Sequence, residues 1–236
     1  MFPIGDDDQN VHLMPIVNYA FIGINVLVFV LLQGLGGNDA FTYAFSLVPQ
    51  EIVTGVDLQG LAPVVGSNGK VIGEIQHYST PLPVYFNFLS SMFMHGSIMH
   101  ILGNMMFLWV FGDNLENLLG HVRYAIFYIV CGFAAAVSQI VMDTSLVIPM
   151  LGASGAISGV LGGYVLMFPN NQVRALLFNF LTTIPAYIAL GIWIVYQIVI
   201  SFLTDSSGGG VAYAAHIGGF IAGFVLIKVF ALGRNS

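Results

Sequence analysis

Six apolar runs divide the chain, at about Pro15 to Gln33, Ser97 to Leu119, His121 to Met142, Ser154 to Phe168, Thr183 to Leu203 and Val211 to Leu232. In lipid, a segment must satisfy its own backbone N–H and C=O groups, which makes each run a candidate membrane helix. Of the 236 residues, 57 % are hydrophobic and 7 % charged, too much apolar surface for a water-soluble globule of this size. The expected fold is an all-α polytopic membrane protein with six transmembrane helices, forming one domain over residues 1–236. The acidic start, Asp6-Asp7-Asp8, leads into a longer apolar run and does not read as a cleaved signal peptide. Only 5 lysines and arginines are present, so no basic surface argues for a nucleic-acid partner. The single cysteine, Cys131, reads as a small buried core residue.

Loop charges set the expected orientation. With both termini cytoplasmic, Arg123, Arg174, Lys228 and Arg234 fall inside and only Lys70 falls outside. The segment 34–96 is then a long outer loop, too long for a mere connector. Asn68-Gly69, flanked by Val64-Val65 and Val71-Ile72, predicts a β-hairpin. The aromatic stretch from Tyr85 to Met94 suits a membrane interface, and the loop is expected to brace the first helices laterally.

The fourth run is short. Pro169-Asn170 ends it, and the 15 residues from Ser154 to Phe168 span only about 22 Å as a helix, against a hydrocarbon core of about 30 Å. With its inner end at the cytoplasmic boundary, Ser154 and the irregular backbone of residues 149–153 lie below the outer surface, where protein or water must surround them. A central position follows. Gly155, Gly159 and Gly163 give this helix a small-residue stripe for close packing, and Ala215, Gly219 and Gly223 repeat the spacing in helix six.

Helices two, four and six run in the same direction in this topology, so their N-terminal turns share one depth. His100 and Asn104 open helix two behind Ser97 as N-cap, Ser154 opens helix four, and His216 opens helix six. A serine hydroxyl is a weak nucleophile until a base takes its proton, and an imidazole is the usual partner. An oxyanion formed on attack needs donors already aimed at it, which the N-terminal N–H groups of helix four, the Asn104 amide and His100 can supply. Every Asp and Glu falls outside the apolar core, so the expected machinery is a Ser154–His216 dyad without carboxylate, metal or cofactor. Taken singly, Ser154 also reads as a helix cap, His216 as a packing residue and Asn104 as an interhelical bridge. No H-E-x-x-H motif and no intramembrane aspartate points to another protease chemistry.

These residues together resemble the rhomboid family of intramembrane serine proteases in its six-helix prokaryotic form. His95-x4-His100-x3-Asn104 resembles the family's helix-two motif, Gly152-x-Ser154-Gly155 its nucleophile motif, and Ala215-His216-Ile217-Gly218-Gly219 its base motif. The resemblance implies Ser154 as nucleophile, His216 as general base, and His100, Asn104 and the Ser154 N–H as the oxyanion hole, with Gly152 grouped beside them. His95, Gly155 and Gly219 are supporting residues. Glu116-x3-Gly120-x2-Arg123-Tyr124 is similar to a structural element of the family on the cytoplasmic side. In one respect the chain departs: Ser158 stands where some members carry a tyrosine that stacks on the histidine, and Tyr213 or Phe220 is expected to pack there instead.

The implied activity is hydrolysis of peptide bonds in or near transmembrane segments of other membrane proteins, in a bacterial or archaeal plasma membrane and with the site opening outward. The implied lateral entry lies between helices two and five, with the glycine-rich segment 205–210 as a movable cap. Two other classes compete. A non-catalytic rhomboid-like scaffold would typically lack the serine or the histidine, and a transporter built on half-length helices would show an inverted repeat or an intramembrane acid.

Overall fold

The computed structural model describes residues 2–7, 11–66, 68–177, 180–203 and 211–234. The expected cap at 205–210 lies outside them. After a short strand β1 (Phe2–Gly5), helix α1 (Ile16–Leu27) continues through one wider turn to Leu32. The long insertion follows, with α2 (Asp39–Ala44), α3 (Pro49–Thr54), the strands β2 (Gly60–Val65) and β3 (Val71–His77), and α4 (Asn87–Ser90) within a helical stretch Val84–Phe93. The remainder is α5 (Ile98–Leu119), α6 (His121–Met142), α7 (Ser154–Met167), the hairpin β4 (Gln172–Leu177) and β5 (Phe180–Pro185), α8 (Ala186–Leu203) and α9 (Tyr213–Phe230).

Among the described residues, α6, α8 and α9 are each long and apolar enough to cross a membrane, and Val84–Phe93 with α5 makes a fourth candidate bent by 78°. α1 with its extension and α7 are shorter apolar helices. Large apolar side chains stand exposed along the outer faces, as at Val141, Phe202 and Val225, which is the surface that a bilayer covers.

Helix α7 has no such face. Every residue from Ala156 to Tyr164 is buried, and α5, α6 and α9 all pack on it. Lipid tails are as apolar as leucine, so this packing rests on close van der Waals approach. The glycine stripe permits it: a Cβ at Gly219 would collide with the Gly155 carbonyl, and one at Gly223 with the Gly159 carbonyl. Around that seam Phe111 and Leu115 of α5, Phe127 and Tyr128 of α6 and Ile227 of α9 are fully enclosed, and Cys131 is buried with them.

The fold is mostly helical, but among the described residues strands form in two places. The hairpin at Asn68-Gly69 is longer than its sequence core, running from Gly60 opposite His77 to Val65 opposite Val71, with the register shifting by one residue between Val64 and Val65. Gly69 takes φ +75°, and Asn68 accepts a hydrogen bond from the Lys70 N–H. Less expected is a three-stranded antiparallel sheet ordered β1-β4-β5. It takes residues 183–185 from the anticipated fifth helix, because Thr182, Thr183 and Ile184 are β-branched and Pro185 closes the extended stretch before α8 begins.

Candidate active site

Three helix N-termini meet at the site. Ser97 caps α5 by accepting the His100 N–H at 3.1 Å, which sets His100 and Asn104 one turn apart on the same face. Ser154 is the first residue of α7, whose opening turn has no side-chain cap, so its leading N–H groups have no intrahelical acceptor. His216 lies in the first turn of α9. Its Nε2 sits 2.7 Å from Ser154 Oγ, and its Nδ1 sits 2.9 Å from the Gln197 amide oxygen. A cavity of about 220 Å³ opens over this pair and is also lined by His100, Asn104 and Trp193. A smaller cavity of about 50 Å³, bordered by Ser91, Gly132 and Met150, also reaches Ser154.

His100 and Asn104 are oriented from behind. His100 Nδ1 faces the Gly96 N–H at 3.4 Å, which leaves Nε2 as the protonated nitrogen on the cavity side. The Asn104 amide donates to His95 Nε2 at 2.9 Å and keeps its second hydrogen for another acceptor. His95 is itself clamped: the Gln33 side chain accepts its N–H and donates to its carbonyl, both at 2.9 Å.

Gly152 differs from its expected part. Its N–H donates to the Ser91 carbonyl at 2.9 Å, so that donor is already committed. Its backbone takes φ +127°, and a Cβ there would lie 2.9 Å from His100 Nε2. The position is a space for the imidazole. Gly155 likewise serves contact, since a Cβ would meet that of Ala135 at 2.7 Å.

The Ser158 hydroxyl turns back to donate to the Ser154 carbonyl and gives His216 no support. Trp193 packs on the histidine ring instead, with centroids 6.0 Å apart, and Tyr213 meets it edge-on at 6.5 Å. Phe220 touches Trp193 rather than the histidine. Trp193, Gln197 and Gln33 are absent from the sequence-derived site. A lone glutamine inside the apolar run of α8, one helical turn from a tryptophan, is the signal that could have found two of them.

The element Glu116-x3-Gly120-x2-Arg123-Tyr124 lies at the opposite end of α5, away from the cavity. Glu116 accepts the Val17 and Asn18 N–H groups at 2.9 and 2.7 Å, and Arg123 donates to the Phe230 and Leu232 carbonyls.

A membrane-embedded bundle with a serine and a histidine joined inside it defines a class of protein, and sequence comparison gives the family. The rhomboid domain model matches residues 82–232, and the chain belongs to the rhomboid family. It is 29% identical over 212 residues to Rhomboid protein 1, mitochondrial, of Saccharomyces cerevisiae, covering 87% of this chain and 50% of that protein. Rhomboid protease GluP of Bacillus subtilis is 26% identical over 222 residues, 93% of this chain and 36% of the relative. Rhomboid-related protein 2 of Mus musculus is 30% identical over 147 residues, 58% of this chain and 45% of the relative. The chain thus spans half or less of the length of each. The family and the apolar helices make it an integral membrane protein.

Proposed function

We propose that this chain is an intramembrane serine endopeptidase that hydrolyses peptide bonds in or near the transmembrane segments of other membrane proteins. The observation that carries the reading is the 2.7 Å contact between His216 Nε2 and Ser154 Oγ beside a cavity that His100 and Asn104 also line. His216 takes the hydroxyl proton as Ser154 Oγ attacks the scissile carbonyl, and returns it to the departing amine. The oxyanion is met by the Ser154 N–H, the free Asn104 amide hydrogen and His100 Nε2–H. Water then attacks the acyl-enzyme with His216 again as base, which regenerates the serine.

A helical substrate buries its amides in its own hydrogen bonds and must unwind first, which favours segments weakened by glycine or other poor helix formers. Entry between α5 and α8 is supported by the sparse burial of α8. α1, α5, α6, α7, α8 and α9 serve as six spans, the short α7 at their centre, with both termini cytoplasmic and the cavity opening outward. The named relatives include a yeast mitochondrial protein, a bacterial one and a mouse one, so membership does not single out a prokaryotic plasma membrane.

A fluorophosphonate probe should label the detergent-solubilised protein, and Ser154→Ala should abolish both labelling and cleavage of a single-pass reporter substrate. His216→Ala should abolish turnover at near-native thermal stability. Labelling that persists in Ser154→Ala removes this serine from its role, and a wild type that neither labels nor cleaves returns the chain to the scaffold class.

A further inference from the structure

A general base must present a lone pair to the serine hydroxyl. Neutral imidazole carries one proton, so the group that engages Nδ1 decides what Nε2 can do. In this chain the group at Nδ1 is the side-chain oxygen of Gln197, 2.9 Å away. An amide oxygen only accepts, which puts the imidazole proton on Nδ1 and leaves the Nε2 lone pair facing Ser154 Oγ at 2.7 Å. We infer that Gln197 of α8 is a positioning residue of this site, fixing the tautomer and ring orientation of His216 in the place where a soluble triad carries a carboxylate. The inference rests on the reading of Ser154 and His216 as nucleophile and base.

Two further observations support it. Gln197 is only 6 % exposed, whereas its neighbours Tyr196 and Ile198 are 55 % and 38 % exposed. The remaining buried residues of α8, Ala186, Ala189 and Leu190, sit in its first two turns, so Gln197 stands alone as a buried residue further along the helix. A polar side chain is turned inward on a half of the helix where no other residue is buried, and a buried amide is retained where it has a partner. Trp193, one turn earlier, lies on the same side and packs against the same ring. An uncharged amide also suits the depth. It orients the imidazole without burying a second charge in an apolar bundle. Because the amide comes from α8, the productive orientation of His216 requires that helix to be docked.

The test compares Gln197→Leu, which removes the acceptor at similar volume, with Gln197→Glu, which keeps it. Each full-length variant is purified in detergent, checked for folding by thermal denaturation, and assayed for fluorophosphonate acylation and for kcat and KM on a single-pass substrate. Gln197→Leu should lower kcat and the acylation rate constant by about 100-fold, the scale of a misdirected general base, with KM within about twofold of wild type. Gln197→Glu should recover all but about tenfold of that loss. Wild-type kcat in Gln197→Leu, a loss confined to KM, or a Gln197→Glu variant no better than Gln197→Leu overturns the positioning role. Should Gln197→Leu not fold, Gln197→Met removes the same acceptor and is read by the same criteria. Failure of the underlying dyad is distinguishable, because it shows as labelling that survives Ser154→Ala with Gln197 intact.

Discussion

At Gly152 the backbone takes φ +127°, a region L-residues rarely enter, and the absent Cβ leaves room for His100. Gly152→Ala should therefore act on the rate by pushing the imidazole out of line, as removal of an oxyanion donor does. An acylation rate constant lower by about 100-fold is the expected outcome, with a stability cost of about 1–3 kcal/mol from the strained backbone. Acylation at the wild-type rate would show that His100 does not need this clearance. At the same scale, what was legible in the sequence was polarity out of place. His100, Asn104, Ser154 and His216 stood out as polar residues at the starts of apolar runs, and the three N-termini bring them together. Gln197 carried the same signal in the middle of a run, but nothing in the sequence says which face of that helix turns inward. Gln33 was beyond reach, because its bond to the His95 backbone joins positions 62 residues apart.

Among the elements, the helices were legible and the strands only in part. Apolar runs and their end signals locate α5, α6 and α7 to within a residue or two, since the signals are local: Ser97 as N-cap, and Pro169 soon after the end of α7. The sheet β1-β4-β5 was not legible, because β1 pairs across more than 160 positions, Phe2 with Leu176, and no local signal reports a partner so distant. The insertion between α1 and α5 holds a pH-sensitive pair that likewise emerges only on folding. Glu51 on α3 is 3 % exposed and accepts the Leu58 N–H, and His77 at the end of β3 lies 4.0 Å from its carboxylate. Burial raises the Glu51 pKa from 4.5 to about 7, while the Leu58 N–H opposes the rise and Asp57 adds to it. The folded chain keeps this proton up to about pH 7, whereas the unfolded chain releases it near 4.5. Between those values the unfolded state binds fewer protons, so the Glu51 contribution to stability is fully present below about 4.5 and is lost as pH rises through about 7. His77 works the other way: burial lowers its pKa from 6.5, so it costs stability on acidification. The difference between Glu51→Gln and wild type isolates the carboxyl. The variant should gain several degrees in melting temperature relative to wild type between pH 4.5 and pH 8. A difference that stays flat with pH would mean that Glu51 is ionised in the fold at acid pH.

Across the whole molecule, the two ends of the bundle are built for different tasks. One end gathers helix N-termini around a cavity, and the other ties helix ends together with buried polar side chains. Helix α1 starts at Pro15 without a side-chain cap of its own. Its leading N–H groups at Val17 and Asn18 are taken up by Glu116, a fully buried carboxylate from near the end of α5, at 2.9 and 2.7 Å. Tyr124 of α6 donates to Asn18, whose amide donates in turn to the Leu108 carbonyl, and Arg123 satisfies carbonyls at the end of α9. The start of α1 and the ends of α5 and α9 are thus pinned by residues of one short sequence element. Removing the carboxylate with Glu116→Ala strands two N–H groups, that of Asn18 buried and that of Val17 half-buried, at about 1–3 kcal/mol for a buried one and less for the other. The bundle should lose about 3 kcal/mol, read as a fall in melting temperature in detergent, and Glu116→Gln, which keeps one acceptor oxygen, should fall between the two. Sixteen helical positions, about 24 Å, separate Glu116 from His100. Below its melting range the Glu116→Ala protein should therefore acylate a fluorophosphonate at close to the wild-type rate. An unchanged melting temperature would deny that the carboxylate caps α1, and a slowed acylation in the folded variant would mean that the fastened end and the cavity are mechanically coupled.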